Sequence, residues 1–260
     1  MLEFNEETHQ YSKNGKDYIS VTQLLDKIKE PFDADTIIDK MLKGQEIYLG
    51  TKSEILGLNK EQIKQLWDLN RIGKSNYGSY IHNLAEEVAK TNISNSDRPE
   101  NKQDLKFFKN EGYKLVEAEK QVYSEEFGIA GTMDLLLEKD GKYYIADWKT
   151  NLNTDLTKFE GDRWTKHLLE PLDNVLDLKY WIYALQMSIY RYIMENEVQY
   201  MVGIGETPHF ESLEFGGQFI IHLQESQKNC PYDMKQITYK LIETPYMKTE
   251  VERLLQWWKK

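Results

Sequence analysis

The sequence predicts an α/β fold: a mixed central β-sheet flanked by helices, with a helical N-terminal part. Three observations predict it. Apolar residues keep a helical period from about 23 to 112, change to a strand-like period from Tyr113, and return to a helical one over "DLKYWIYALQMSIYRYIMEN". Asn14-Gly15 and Asp140-Gly141 each separate two short apolar runs, the dipeptides that two-residue hairpin turns demand. The chain then closes on further strand-like runs and an amphipathic helix.

Taken in order, residues 1 to 25 predict a hairpin turning at Asn14-Gly15. "NKEQIKQLWDLN" predicts a helix capped by Asn59, with Gln62 three residues on in capping-box spacing. "SNYGSYIHNLAEEVAK" places Ile81, Leu84, Ala85 and Val88 on one stripe. Residues 92 to 101 are a polar loop, and "DLKFFKNEG" returns to helix up to Gly112. "YKLVEAEKQVYS" and the two arms of "GTMDLLLEKDGKYYIADWKTN" predict strands. The helix containing Tyr180 to Met194 is apolar around most of its circumference, so it is expected to be buried. "QYMVGIGE", "GGQFIIHL" and "ITYKLIE" predict three more strands before "YMKTEVERLLQWWKK". With no repeat and no Pro/Gly linker, 1 to 260 is expected to form one domain. Its parts are a helical N-terminal part at about 23–112, a core at about 113–198, and C-terminal strands and helix at about 199–260.

Bulk properties narrow the function classes. The 260 residues are 40% hydrophobic and include 17 Tyr and 6 Trp, which excludes a disordered composition. The net charge of -10 disfavours non-specific binding to a polyanion unless a basic groove or bound cations reverse the sign locally. One cysteine, Cys230, cannot form an internal disulfide, and with no signal-peptide pattern and no long apolar run the expected compartment is the cytoplasm, with no membrane contact. The five histidines form no zinc pattern, and no phosphate-binding P-loop occurs.

The charged residues of the central hairpin need an explanation. A two-residue turn at Asp140-Gly141 pairs Lys139 with Lys142, and counting back along both strands sets Asp134 opposite Asp147. Lys149, two residues on, emerges on the same face as Asp147. Like charges facing each other across strands destabilise a sheet. One reading is a solvated face on which Lys149 neutralises Asp147. The other is a divalent-cation site, favoured because "YYIAD" is apolar enough for a strand covered on both faces.

These residues resemble the PD-(D/E)xK nuclease superfamily, with Asp134 as the first acidic position and Asp147-Trp148-Lys149 as the second half of the motif. Three further stretches resemble its RecB-like and phage-type exonuclease branch. They are "GTMD" (Gly131 to Asp134), the G-x-x-x-H of "GSYIH" (Gly78, His82) and the Q-x-x-x-Y of "QMSIY" (Gln186, Tyr190). The N-terminal hairpin also looks like that of phage-type and bacterial exonucleases.

The resemblance implies a restriction-endonuclease-like core and metal-dependent DNA hydrolysis, most simply exonucleolytic, in recombination, repair or phage DNA metabolism. Mg²⁺ is the implied ion and Mn²⁺ its substitute. Asp134, Asp147, the Trp148 carbonyl, His82 and Glu119 are implied to hold the metal. Lys149, with a lowered pKa, would orient the attacking water and balance charge. Gln186 and Tyr190 would line the DNA groove. The implied partner is DNA, as linear duplex or single-stranded ends; a recombination or annealing partner protein and an oligomer are compatible with it. A structure-specific or restriction-like endonuclease and a non-catalytic DNA-binding subunit remain alternatives. For DNA to approach an acidic protein, a positive groove is expected from Lys106, Lys109, Lys114, Lys120, Lys149, Lys158, Arg163 and Lys166, with aromatics interleaved.

Overall fold

The computed structural model describes residues 2–5, 8, 10–43, 57–91, 111–150, 156, 160, 165–197, 213–225 and 237–260. Residues 104 to 110 of the helix expected up to Gly112, the polar loop, the strand in "QYMVGIGE" and Cys230 lie outside them. The described chain divides into two compact units, residues 1–29 with 84–260, and residues 30–83.

The larger unit holds an eight-stranded mixed sheet flanked by helices, as the sequence predicts. β1 (Glu3–Asn5), β2 (Gln10–Lys13) and β3 (Lys16–Ser20) run antiparallel. Asn14 and Gly15 both take positive φ, 52° and 77°, as a tight hairpin turn requires. Ser20 then starts α1 (Val21–Asp26) with a capping box: its Oγ accepts from the Gln23 N–H, and the Gln23 side chain accepts from the Ser20 N–H. That box begins the helix slightly before the expected position near 23.

β5 (Ile129–Lys139) organises the rest. β4 (Lys114–Ser124) lies antiparallel along one edge. The other edge is shared. β3 pairs in parallel with its start, at Ile129 and Ala130, and β6 (Lys142–Lys149) pairs antiparallel with its end, from Leu135 opposite Ala146 to Lys139 opposite Lys142. Positive φ at Asp140 and Gly141 (53° and 77°) makes the predicted two-residue turn. β7 (Phe215–Glu225) continues in parallel with β6, and β8 (Ile237–Thr244) closes the sheet.

Two helices complete the core: α4 (Lys179–Asn196), which packs against β4, β5, β6 and β7, and α5 (Lys248–Trp258). Leu24, Leu136, Ile145, Leu185, Ile220 and Leu254 bring three strands and three helices into one cluster. Each such side chain contributes about 1.5–3 kcal/mol when fully buried. A polar pin fixes α4 on β7. The buried Gln218 Nε2 lies 3.2 Å from the Ala184 carbonyl and 3.1 Å from Ser188 Oγ, while Ser188 Oγ accepts from the Met247 N–H at the start of α5.

The smaller unit pairs α2 (Ala34–Lys43) with the first part of α3 (Lys60–Thr91). The predicted cap is present: the Asn59 N–H donates to Gln62 Oε1 and the Gln62 N–H to Asn59 Oδ1. Ile38 and Ile63 are fully buried. Lys60 and Lys64 each approach Asp35 to 2.8 Å, and these ammonium groups hold its carboxyl down at about 2. Because that value lies below the ordinary 3.8, the pairing contributes stability above the ordinary value and loses it as pH falls towards 2. An acid titration of thermal unfolding is expected to show this loss and to lose that component in Asp35→Asn. An unchanged acid limb in the variant contradicts it.

Among the described residues no helix is long and apolar enough to cross a membrane. The expected positive groove is not formed by the lysines of β4. Lys114 pairs with Glu138 across the ladder at 3.2 Å, and the buried Lys120 pairs with Glu117 at 2.5 Å. Lys106, Lys109, Lys158 and Arg163 lie outside the described residues.

Candidate functional site

The site forms where β6 parts from β5. Their ladder holds the expected register as far as Leu135 opposite Ala146, one pair short of Asp134 and Asp147. There the Asp134 side chain replaces the next backbone rung: its Oδ2 accepts the Trp148 N–H at 2.8 Å. Up to Ala130 the same edge of β5 pairs with β3, so Asp134 sits at the mouth of a fork between β3 and β6. A carboxylate at the fork satisfies a backbone donor that would otherwise lose its partner.

Asp147 is buried, with 2% of its surface exposed, and forms an ion pair with the Lys149 ammonium. Burial alone would depress the Lys149 pKa. The negative charges of Asp147 and then Asp134 outweigh it and raise the value above the ordinary lysine range. The lowered pKa expected for Lys149 is therefore not found. Both carboxylates favour the charged form of this one ammonium.

α4 roofs this fork. Lys149 Nζ lies 4.5 Å from the centre of the Tyr183 ring, and Gln186 Nε2 donates to the Tyr190 hydroxyl at 3.0 Å. Tyr183, Gln186 and Tyr190 are spaced i, i+3, i+7, hence one helical stripe. Tyr190 is buried, which pushes its hydroxyl pKa far up; Asp147 and Asp134 are near enough to push it the same way. Its ring also explains Gly131. A Cβ on Gly131 would stand 2.6 Å from Tyr190 Cε1 and 3.0 Å from the hydroxyl. The glycine of "GTMD" thus admits the tyrosine of "QMSIY".

Glu119, in the middle of β4, has φ of 54°, a left-handed conformation uncommon outside glycine. Its neighbours Ala118 and Lys120 pair with Leu135 and Met133, which brackets Asp134. Its Oε1 is buried, and its charge reaches the Tyr11 hydroxyl. That hydroxyl shares a 2.9 Å hydrogen bond with Thr132 Oγ1, tying the N-terminal hairpin to the strand that carries Asp134. Tyr11→Phe is expected to cost about 1 kcal/mol, read as a lower denaturant midpoint at unchanged slope. An unchanged midpoint contradicts a structural contribution from this bond.

The donors suit a hard cation: two carboxylates, oxygen ligands of the kind such ions prefer. Among the described residues no three His, Cys, Asp or Glu side chains gather into a ligand set. Two carboxylates fit Mg²⁺, which keeps several waters and commonly takes only one or two protein carboxylates. The contact made by Trp148 is its N–H to Asp134. His82 lies on α3 in the smaller unit, and its side chain is outside the described residues.

The chain is similar to the RecBCD enzyme subunit RecB of Haemophilus influenzae. The two are 29% identical over 111 residues, 40% of this chain but only 8% of that relative. No family model matches the chain.

Sequence reasoning missed Tyr183, Thr132 and Tyr11. Tyr183 had a signal, since it falls on the stripe of Gln186 and Tyr190. Tyr11 had none, because its contact spans 121 positions of chain.

Proposed function

We propose that this chain is a PD-(D/E)xK nuclease that hydrolyses DNA with a divalent metal ion, as an exonuclease on linear ends. The observation that carries the reading is the buried Asp147–Lys149 ion pair at the fork of β5 and β6, with Asp134 bonded to the Trp148 N–H between them and near enough for its charge to act on the same ammonium. A structural ion pair needs one carboxylate. A second, close enough to act on the same ammonium, supplies further negative charge that would draw in a cation. The similarity to RecB supports the same reading, as do the "GTMD" and Q-x-x-x-Y stretches meeting at Gly131 and Tyr190.

In this mechanism Asp134 and Asp147 would hold Mg²⁺, or Mn²⁺ in its place, with the Trp148 carbonyl, His82 and Glu119 as further candidates. When bound, the ion neutralises phosphate charge and lowers the pKa of water. Lys149 would orient the attacking water and stabilise charge growing on the phosphate. Tyr190 keeps the strand of Asp134 in place from above, and Gln186 anchors the tyrosine hydroxyl. DNA is the proposed partner.

The test is incubation of linear duplex, linear single strands and closed circular plasmid with Mg²⁺, Mn²⁺ or EDTA. The expected result is loss of linear DNA with either metal, intact circles, and no reaction in EDTA. Nicking of the circle assigns an endonuclease instead. Tight DNA binding without metal-dependent turnover assigns a non-catalytic subunit.

A further inference from the structure

We infer that Tyr183 is a positioning residue for Lys149, its ring holding the ammonium at the reacting phosphate once the carboxylates are taken up by a cation. The inference rests on the nuclease reading above. It begins from two partners of Lys149 among the described residues. One is the Asp147 carboxylate, and the other is the Tyr183 ring 4.5 Å from Nζ. A cation seated on Asp134 and Asp147 would repel the ammonium and compete for the same oxygens. The ring carries no formal charge to be neutralised, so its attraction for the ammonium persists. Tyr183 is packed against the main core, and the Gln218 pin fixes α4 one residue further on, at the Ala184 carbonyl. The ring is therefore a rigid wall. Lys149, with 17% of its side chain exposed, has little room elsewhere.

The experiment compares wild type with Tyr183→Phe, Tyr183→Leu and Tyr183→Met, measuring kcat, KM for linear duplex and the Mg²⁺ concentration of half-activity. Leu and Met are expected to lower kcat roughly 10- to 30-fold, the worth of a desolvated cation–ring contact, with KM and the Mg²⁺ requirement moved less than about twofold. Phe keeps the ring and is expected to retain at least about a third of kcat. Wild-type kcat in both Leu and Met overturns the inference. So does an equal loss in Phe, which transfers the effect to the hydroxyl, or a loss that follows the Mg²⁺ requirement. A measurement on the wild type alone keeps the test open if the variants fail to fold. The Lys149 ε-methylene protons are expected to resonate upfield of other lysines from the ring current and to stay there when Mg²⁺ is added. Unshifted protons in the Mg²⁺-loaded protein overturn it. If the wild type has no Mg²⁺-dependent activity, the nuclease reading fails and this inference with it; an active wild type with unaffected variants removes the inference alone.

Discussion

Lys149→Ala is expected to lower metal-dependent DNA hydrolysis by roughly 10²- to 10³-fold, the usual effect of removing one preorganised charge at a developing oxyanion. DNA binding should survive, because in the proposed mechanism Lys149 would meet only one phosphate. The substitution has a second consequence. It leaves Asp147, 2% exposed, without its ammonium and beside Asp134. Removing one partner of a buried pair costs about 3 kcal/mol or more, so the metal-free variant should melt well below wild type. A Mg²⁺ ion held by the two carboxylates would replace the lost positive charge. The variant should therefore gain more stability from Mg²⁺ than the wild type does, seen as a larger shift in Tm at the same concentration. A variant that loses activity yet melts like wild type without metal, and is indifferent to Mg²⁺, speaks against Asp147 as a ligand.

Gly131→Ala carries the second large effect. The new methyl would overlap the Tyr190 ring, which is buried and tethered by Gln186. Overpacking of this kind costs about 1–3 kcal/mol, which for a chain of this size lowers Tm by a few degrees per kcal/mol. Displacing the ring also loosens the strand carrying Asp134, so activity should fall further than stability explains. Tyr190→Leu removes the obstacle. The double variant is expected to be more stable than the two separate losses combined would give. Strictly additive losses would show that the two residues do not compete for the same space.

The hairpin was legible because its turn chemistry is local. Asp140 and Gly141 both need positive φ, and that requirement set the register correctly from Leu135 to Lys139. The same register pointed to Asp134 and Asp147, but not to the end of the ladder just before them. That end depends on Asp134 accepting the Trp148 N–H, an exchange of side chain for backbone that no periodicity reports. The direction of the Lys149 pKa was misjudged for a related reason. Burial and two carboxylates pull oppositely, and only their positions decide which wins. The capping boxes at Ser20 and Asn59 lie within three residues and are written in the sequence, whereas the meeting of Gly131 with Tyr190 joins residues far apart in the chain. Lys114 and Lys120 illustrate the limit of counting charges, since each is matched to an acid that only the strands bring near.

The central claim is that Asp134 and Asp147 serve a divalent cation in phosphodiester hydrolysis. Its most direct measurement follows an end-labelled linear duplex with wild type in Mg²⁺, wild type in EDTA, and Asp147→Asn in Mg²⁺. Asn nearly preserves the shape of the side chain while removing its charge. The expected result is hydrolysis in the first reaction and none above background in the other two. Hydrolysis that persists in EDTA, or in Asp147→Asn at the wild-type rate, contradicts it.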